Sequence, residues 1–262
     1  MSEILKTIIL GLVEGLTEFL PVSSTAHLLV SENLLGIENS KFLNFFTVFV
    51  QLGAIAAVPF LYFKRLFASG LSIYYTIIAS FIPAVVLGVL LDDFLEALFQ
   101  GYWFIAGSWI LGGLLLIRID QWLPAKSDSV EIHSISYFKA FKIGLFQCIA
   151  MIPGVSRSGA TIVGGRVLGL SHAAAVEYSF LLGIPTILGA CAKKLLDYRN
   201  DFDVLFTKEH IQFLSIGTVI SFVVALLTIK WMVGFVKKHG FALFGYYRIV
   251  VGLFLSAYLW MS

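Results

Sequence analysis

Apolar residues run along this chain in long, nearly unbroken stretches, with the polar residues gathered between them. Six stretches reach or approach the length that crosses about 30 Å of hydrocarbon at about 1.5 Å per residue. They cover Phe42–Phe63, Ser72–Leu91, Tyr102–Ile119, Ala173–Ala192, Ile211–Val233 and Phe241–Met261. The pattern predicts a helix for each, because unpaired backbone amides are too costly in lipid. Four further apolar pieces are too short or too interrupted: Ile4–Leu20, Ser24–Gly36, Tyr137–Ile152 and Ser158–Leu170. They form two pairs, one split at Pro21-Val22-Ser23-Ser24 and the other at Pro153-Gly154-Val155-Ser156-Arg157-Ser158. Half-helices around such a break predict a re-entrant hairpin that enters and leaves on one side. Its irregular backbone then needs protein or a water-filled cavity around it.

The two broken regions resemble each other at an offset of 133: Gly11-Leu12 with Gly144-Leu145, Val22-Ser23 with Val155-Ser156, Thr25 with Ser158, Glu14 with Gln147. Three full spans follow each pair, so the chain reads as two halves, about 1–125 and 134–262. A re-entrant pair plus an odd number of spans makes the second half start on the opposite face. The expected fold is therefore an all-α integral membrane protein, six transmembrane helices plus two re-entrant broken-helix hairpins in an inverted-topology repeat. A site is expected where the breaks meet near mid-membrane.

Basic residues set the orientation. Lys64, Arg65, Arg118, Lys126, Lys139, Lys142, Lys230, Lys237 and Lys238 follow the first, third and fifth spans. The other side carries Lys6, Lys41, Lys193, Lys194, Arg199 and Lys208. The excess places both termini outside the cytoplasm, with the first hairpin dipping in from that outer face.

Composition narrows the class further. With 59% apolar and 13% charged residues, a chain of 262 is far from the balance of a soluble domain. Disorder, a collagen-like chain and a disulfide scaffold are excluded, since there are 24 Phe and two cysteines. Cys148 and Cys191 sit inside apolar runs and read as small core residues. A net charge of +2 suggests no nucleic-acid partner. The first twenty residues hold Glu3, Glu14 and Glu18 and lack a small-residue cleavage site, so they read as mature protein rather than a signal peptide.

Chemistry concentrates at the breaks. Glu14 and Glu18 share one face of an otherwise apolar helix, and buried ionisable groups of this kind usually mark function. Two like charges a turn apart either share a proton or hold a hard divalent cation, Mg²⁺ or Ca²⁺. Ser23, which can equally cap the next helix, precedes Ser24 and His27, which are three apart on one helical face. A hydroxyl beside an imidazole offers a nucleophile and a base. The second break supplies Gly154 for a tight turn, the hydroxyls of Ser156, Ser158 and Thr161, and Arg157 at a helix start that already favours an anion. Arg248 is a second buried cation or an interface anchor. Gln51 and Glu177 either line the same cavity or pair with neighbours such as Arg166. Acid on one wall and a guanidinium on the other suit a diphosphate, and apolar surroundings suit one that arrives on a lipid.

The segments Glu14-Gly-Leu-Thr-Glu18-Phe-Leu-Pro21-Val-Ser-Ser24-Thr-Ala-His27 and Pro153-Gly154-Val-Ser156-Arg157-Ser158-Gly-Ala-Thr161 resemble the two signature motifs of the undecaprenyl-diphosphate phosphatases, the bacterial bacitracin-resistance family. The similarity extends to Gln51-Leu-Gly and the Tyr247-Arg248 pair. It implies hydrolysis of a C55 polyprenyl diphosphate at the bacterial cytoplasmic (inner) membrane, with a site opening outward, and recycling of the lipid carrier of cell-wall synthesis. By the same resemblance Glu14 and Glu18 hold the divalent ion or assist proton transfer, and Ser24 and His27 are nucleophile and partner. Ser23, Gln51, Ser156, Ser158, Thr161 and Arg248 join Arg157 around the phosphates. The resemblance leaves open whether Ser24, His27 or a metal-bound water attacks phosphorus. Ala26 stands where the family usually has Gly, which implies slightly less backbone freedom. The bilayer and the polyprenyl diphosphate lipid are the expected partners, with a homodimer compatible. A secondary transporter or lipid flippase is the rival class; against it stands the dense Ser/His/Arg set. An assembly subunit with polar contacts between helices is a third.

Overall fold

The computed structural model describes residues 1–68, 70–91, 101–123 and 132–261, less the side chains of 65–68 and 133. Arg65 as a side chain, Lys126, and the boundary between the expected halves near 125 lie outside the described residues. The elements are α-helices: α1 (Glu3–Thr17), α2 (Ser24–Leu34), α3 (Lys41–Phe49), α4 (Gln51–Ala68), α5 (Gly70–Leu90), α6 (Tyr102–Trp122), α7 (Tyr137–Ile149), α8 (Arg157–Val167), α9 (His172–Asp197), α10 (Phe202–Leu205), α11 (Lys208–His239) and α12 (Ala242–Met261). A 3-10 turn over Ile132–Ser134 precedes α7.

Six helical segments are long and apolar enough to cross a membrane: Lys41–Lys64, Gly70–Leu90, Tyr102–Trp122, His172–Asp197, Lys208–His239 and Ala242–Met261. Each coincides with a span expected from the sequence. Two details differ. The first span is interrupted at Val50, where the Gly53 amide bonds to the Val50 carbonyl at 3.1 Å, so Gln51 opens a new helix. The fifth span reaches from Lys208 to His239, well beyond the apolar run, because Thr207 caps its start and Gly240, at φ 63°, ends it.

Ser2, Ser40, Ser136, Ser156, Ser171 and Thr207 cap their helices by accepting a backbone N–H. Ser23 does not; its hydroxyl makes no capping bond. Ser23 and Ser156 are nevertheless alike in backbone, at φ 73° and 76°, and are the two non-glycine residues at positive φ among the described residues. An L side chain there is strained and persists only where its surroundings over-determine it.

The helices interleave. Helix α1 packs on α11 and α7 on α5, α4 lies on α11 and α9, and α6 lies along α12. Small residues permit the closest crossings. A Cβ added at Gly113 would stand 2.6 Å from the Gly245 carbonyl oxygen, and one at Gly245 would stand 2.5 Å from that of Gly113. On α1, Gly15 lies equally close to the Ser221 carbonyl. The core gathers between these crossings around Phe19, Tyr178, Phe180 and Leu182, while Val89, Leu111, Leu227 and Phe254 face outward.

Gly245→Val should therefore lower the unfolding midpoint in detergent by roughly 3–10 °C, the counterpart of about 1–3 kcal/mol of overpacking in a chain of this size. Gly234→Ala on α11, where an added Cβ meets no atom within 4 Å, should leave it unchanged or slightly raised. Fluorescence-monitored melting of the two variants checks the contrast.

Candidate active site

Helix α1 ends at Thr17, so Glu18 sits at its C-cap, where the chain turns through Pro21 to Ser23. The positive φ of Ser23 reverses the backbone and lets α2 start at Ser24 beside the acid it has just passed. The Ser24 hydroxyl donates to Glu18 Oε2, and Arg157, the first residue of α8, donates from Nη2 to Glu18 Oε1. The second guanidinium nitrogen, Nη1, bonds to the Ser179 carbonyl of α9 at 3.0 Å. One carboxylate thus joins the two breaks, with a hydroxyl on one oxygen and a guanidinium on the other. A hollow of about 120 Å³ opens beside it, lined by Glu18, Ser23, Ser24, Thr25, Gln51, Gly154, Ser156, Arg157 and Thr186 among others.

Glu14 lies one turn back on α1, fully buried, and neither oxygen has a donor among the described residues. A buried carboxylate without a donor requires a proton shared with Glu18 or a cation. Two carboxylates one turn apart, with the Ser24 hydroxyl on Glu18, are the kind of hard oxygen donors that a divalent cation takes. Among the described residues no third Asp, Glu, His or Cys joins them in a cluster, so other ligands would have to come from water or substrate.

Several expected members take other places. Ser24 and His27 do not pair. His27 Nδ1 is 2.8 Å from the Ser23 carbonyl, which can only accept, so Nδ1 carries the hydrogen. In the neutral ring Nε2 then accepts from the Tyr247 hydroxyl, 2.8 Å away. The ring stacks on Tyr247 and tilts against Trp109, and it lines a separate, apolar cavity between α2, α6 and α12. The bonds to the Ser23 carbonyl and to Tyr247 turn the imidazole toward that second cavity, while Ser24 faces Glu18 and the hollow. Tyr247 supplies the partner that Ser24 was expected to be.

Arg248 is also not free for a ligand. It is 1% exposed and donates to the Trp109, Ser108, Pro21, Gly154 and Val155 carbonyls at 3.3, 2.7, 3.0, 2.9 and 2.9 Å. It ties both breaks to α6 and is a clamp. Ser158 donates to the Leu20 carbonyl at 2.7 Å, and Thr161 reaches the Ser179 hydroxyl at 2.7 Å. Both therefore brace the breaks from behind the hollow. Ser156 lines the hollow while accepting from the Gly159 amide at 3.1 Å. Arg166 serves the Leu170 and Leu123 carbonyls.

Sequence reading missed Ser179, which holds Arg157 through its carbonyl, and Trp109, whose Nε1 donates to the Val22 carbonyl at 2.9 Å. Neither is flagged by type, since a serine or tryptophan within an apolar span is unremarked. The Gln147–Thr186 bond at 3.1 Å was missed likewise, although Gln147 stands opposite Glu14 in the repeat pattern.

Interleaved spans around two broken-helix pairs, with a carboxylate, hydroxyl and guanidinium buried where the breaks meet, define a multi-pass helical membrane protein with an anion-handling centre. The family described as bacitracin resistance protein BacA matches residues 7–254, and the chain belongs to it. It is similar to proteins named undecaprenyl-diphosphatase. One from Flavobacterium psychrophilum is 49% identical over 96% of this chain and 94% of its own length. One from Porphyromonas gingivalis strain W83 is 43% identical over 95% and 94%. One from Aquifex aeolicus is 41% identical over 97% of each.

Arg248→Lys should lower the melting midpoint by roughly 5–10 °C, since an ammonium has three donors for five carbonyls and each lost charged bond is worth about 1.5–3 kcal/mol. Arg157→Lys, which keeps a cation beside Glu18, should lower it by less than half as much. Parallel melts of the two variants read the difference.

Proposed function

We propose that this chain hydrolyses undecaprenyl diphosphate to undecaprenyl phosphate and inorganic phosphate, returning the lipid carrier to cell-wall synthesis and giving resistance to bacitracin. Family membership and the names of the relatives support the reaction. The observation that carries the chemistry is Glu18, which holds the Ser24 hydroxyl on one oxygen and the Arg157 guanidinium on the other at the edge of the hollow.

In this reading the terminal phosphate enters the hollow and its oxygens take donors from Arg157, whose planar fork suits them. Ser24 Oγ attacks phosphorus and its proton passes to Glu18. The bond between phosphorus and the bridging oxygen breaks, releasing undecaprenyl phosphate. Glu18 passes that proton to the departing phosphate oxygen and is again a carboxylate. It then deprotonates a water that attacks phosphorus, and the bond from phosphorus to Ser24 Oγ breaks, releasing inorganic phosphate as Oγ regains the proton. His27 stands outside these steps: its bonds to Ser23 and Tyr247 fix the break on which Ser24 is carried. A divalent cation would be held by Glu14 and Glu18 and would supply charge neutralisation for the diphosphate.

The proposal includes two antiparallel halves, the inner membrane, and an outward-opening site fed by both hairpins dipping into the bilayer. Supporting the halves are the matched serines 133 residues apart at positive φ and the crossed contacts of α1 with α11 and α7 with α5. Supporting the orientation is the excess of basic residues after the odd-numbered spans.

Solubilised protein given a long-chain prenyl diphosphate should release inorganic phosphate, and a chelator should suppress the release. Glu18→Gln should cut turnover by at least about 10³-fold, combining lost general-base and positioning effects, while remaining folded. Ser24→Ala should lose both turnover and the acid-stable phosphoprotein trapped on quenching. Turnover persisting in Ser24→Ala would transfer attack to water, and near-native turnover in Glu18→Gln would overturn the reading.

A further inference from the structure

Arg157 and Arg248 share one device. Each guanidinium lies against a glycine on a neighbouring span: a Cβ at Gly112 would stand 2.7 Å from Arg248 Cζ, and one at Gly183 would stand 2.8 Å from Arg157 Cζ and 2.9 Å from its Nη2. In both cases a terminal guanidinium nitrogen, Nη2 of Arg248 and Nη1 of Arg157, occupies the space a side chain would take. Arg248 serves backbone carbonyls only, whereas Arg157 lines the hollow.

We propose that Gly183 on α9 is a positioning residue for hydrolysis, setting the plane and depth of the Arg157 guanidinium that receives the phosphate. The inference rests on the phosphatase reading above. Arg157 is held at three points. Glu18 holds Nη2, the Ser179 carbonyl holds Nη1 at 3.0 Å, and Gly183, one turn on from Ser179, lies against the Nη1 edge of the guanidinium. The start of α8 cannot slide to relieve a clash, because Thr161 bonds to the Ser179 hydroxyl at 2.7 Å and to the Arg157 carbonyl at 2.9 Å. Ordinary van der Waals contact needs about 3.4–4 Å, so a methyl at 183 must push the guanidinium out of its place by several tenths of an ångström or more. That displacement acts on the same two nitrogens that bond to the Ser179 carbonyl and to Glu18. Bidentate recognition tolerates only about 0.5 Å and 10–20° of error. A lysine ammonium has no plane to tilt, so a methyl at 183 should matter little beside it.

The test is a double-mutant cycle of Gly183→Ala and Arg157→Lys, read by phosphate release from a long-chain prenyl diphosphate and by inhibition with inorganic phosphate. Gly183→Ala alone should lower kcat/KM at least about tenfold and weaken phosphate inhibition by a similar factor. Added to Arg157→Lys, it should cost under about twofold. Its melting midpoint should fall by no more than that of Arg157→Lys, because alanine's helix preference offsets part of the displaced guanidinium's lost bonds. Where turnover of Arg157→Lys is too slow to follow, protection against thermal unfolding by inorganic phosphate gives the same cycle. Wild-type kinetics in Gly183→Ala, or equal losses with and without Arg157→Lys, would overturn the positioning role while leaving the phosphatase reading intact. A wild-type protein that releases no phosphate would remove the phosphatase reading itself, and this inference with it.

Discussion

A helix broken inside a membrane leaves carbonyl groups that no water reaches, and each such group costs several kcal/mol if left unpaired. On the proposed reading this chain has two such breaks, and Arg248 answers both. One guanidinium bonds to Pro21 at the first break, to Gly154 and Val155 at the second, and to Ser108 and Trp109 on α6. Its five donors match five carbonyls, which no other side chain could do. Trp109 adds a sixth bond, to Val22, from the same stretch of α6. With the backbone of both breaks satisfied in this way, irregular chain becomes stable where helix would otherwise be the sole solution.

Satisfied breaks can then hold strain and charge. Ser23 and Ser156 both sit at positive φ, a conformation costing about 1–3 kcal/mol each for a residue with a side chain. Ser23 is the residue whose reversal brings Ser24 back to Glu18, and Ser156 sets Arg157 at the head of α8. The ions gathered here are two carboxylates, Glu14 and Glu18, and two guanidiniums, Arg157 and Arg248, all largely buried. Formally they cancel. Direct contact unites Glu18 with Arg157, whereas Glu14 is left without a donor among the described residues. On the proposed reading, a phosphate that takes Arg157 for itself leaves two adjacent carboxylates less compensated, which would couple its binding to uptake of a proton or cation at Glu14 and Glu18 through charge.

The spans were legible because lipid leaves one solution for a long apolar run, and the breaks because proline, glycine and serine cannot continue a helix there. Glu14, Glu18, Ser24 and Arg157 were legible as polar groups where none belongs. What escaped is what side-chain type cannot signal. The partners of Arg248 are backbone carbonyls, invisible in a sequence, so it read as a ligand-binding cation. His27 has the spacing to meet Ser24, but one hydrogen bond to the carbonyl four residues back decides its rotation. Gly183 and Ser179 matter through an absent side chain and a carbonyl, and within a span they look like ordinary small residues.

On the proposed repeat, what the halves hold in common is backbone and what differs is chemistry. The serines at 23 and 156 have the same φ, and the glycines at 113 and 245 meet across the crossing of α6 and α12. At the reacting positions the halves diverge: Glu14 faces Gln147 in the pattern, and Ser24 faces Arg157. A symmetric pair of breaks carrying identical side chains would place like beside like, two carboxylates against two or two guanidiniums against two, and repulsion would drive them apart. Opposite charges on the two breaks instead draw the halves together at the one place where their helices are interrupted. The asymmetry that makes the site reactive is also what makes the junction between the halves stable.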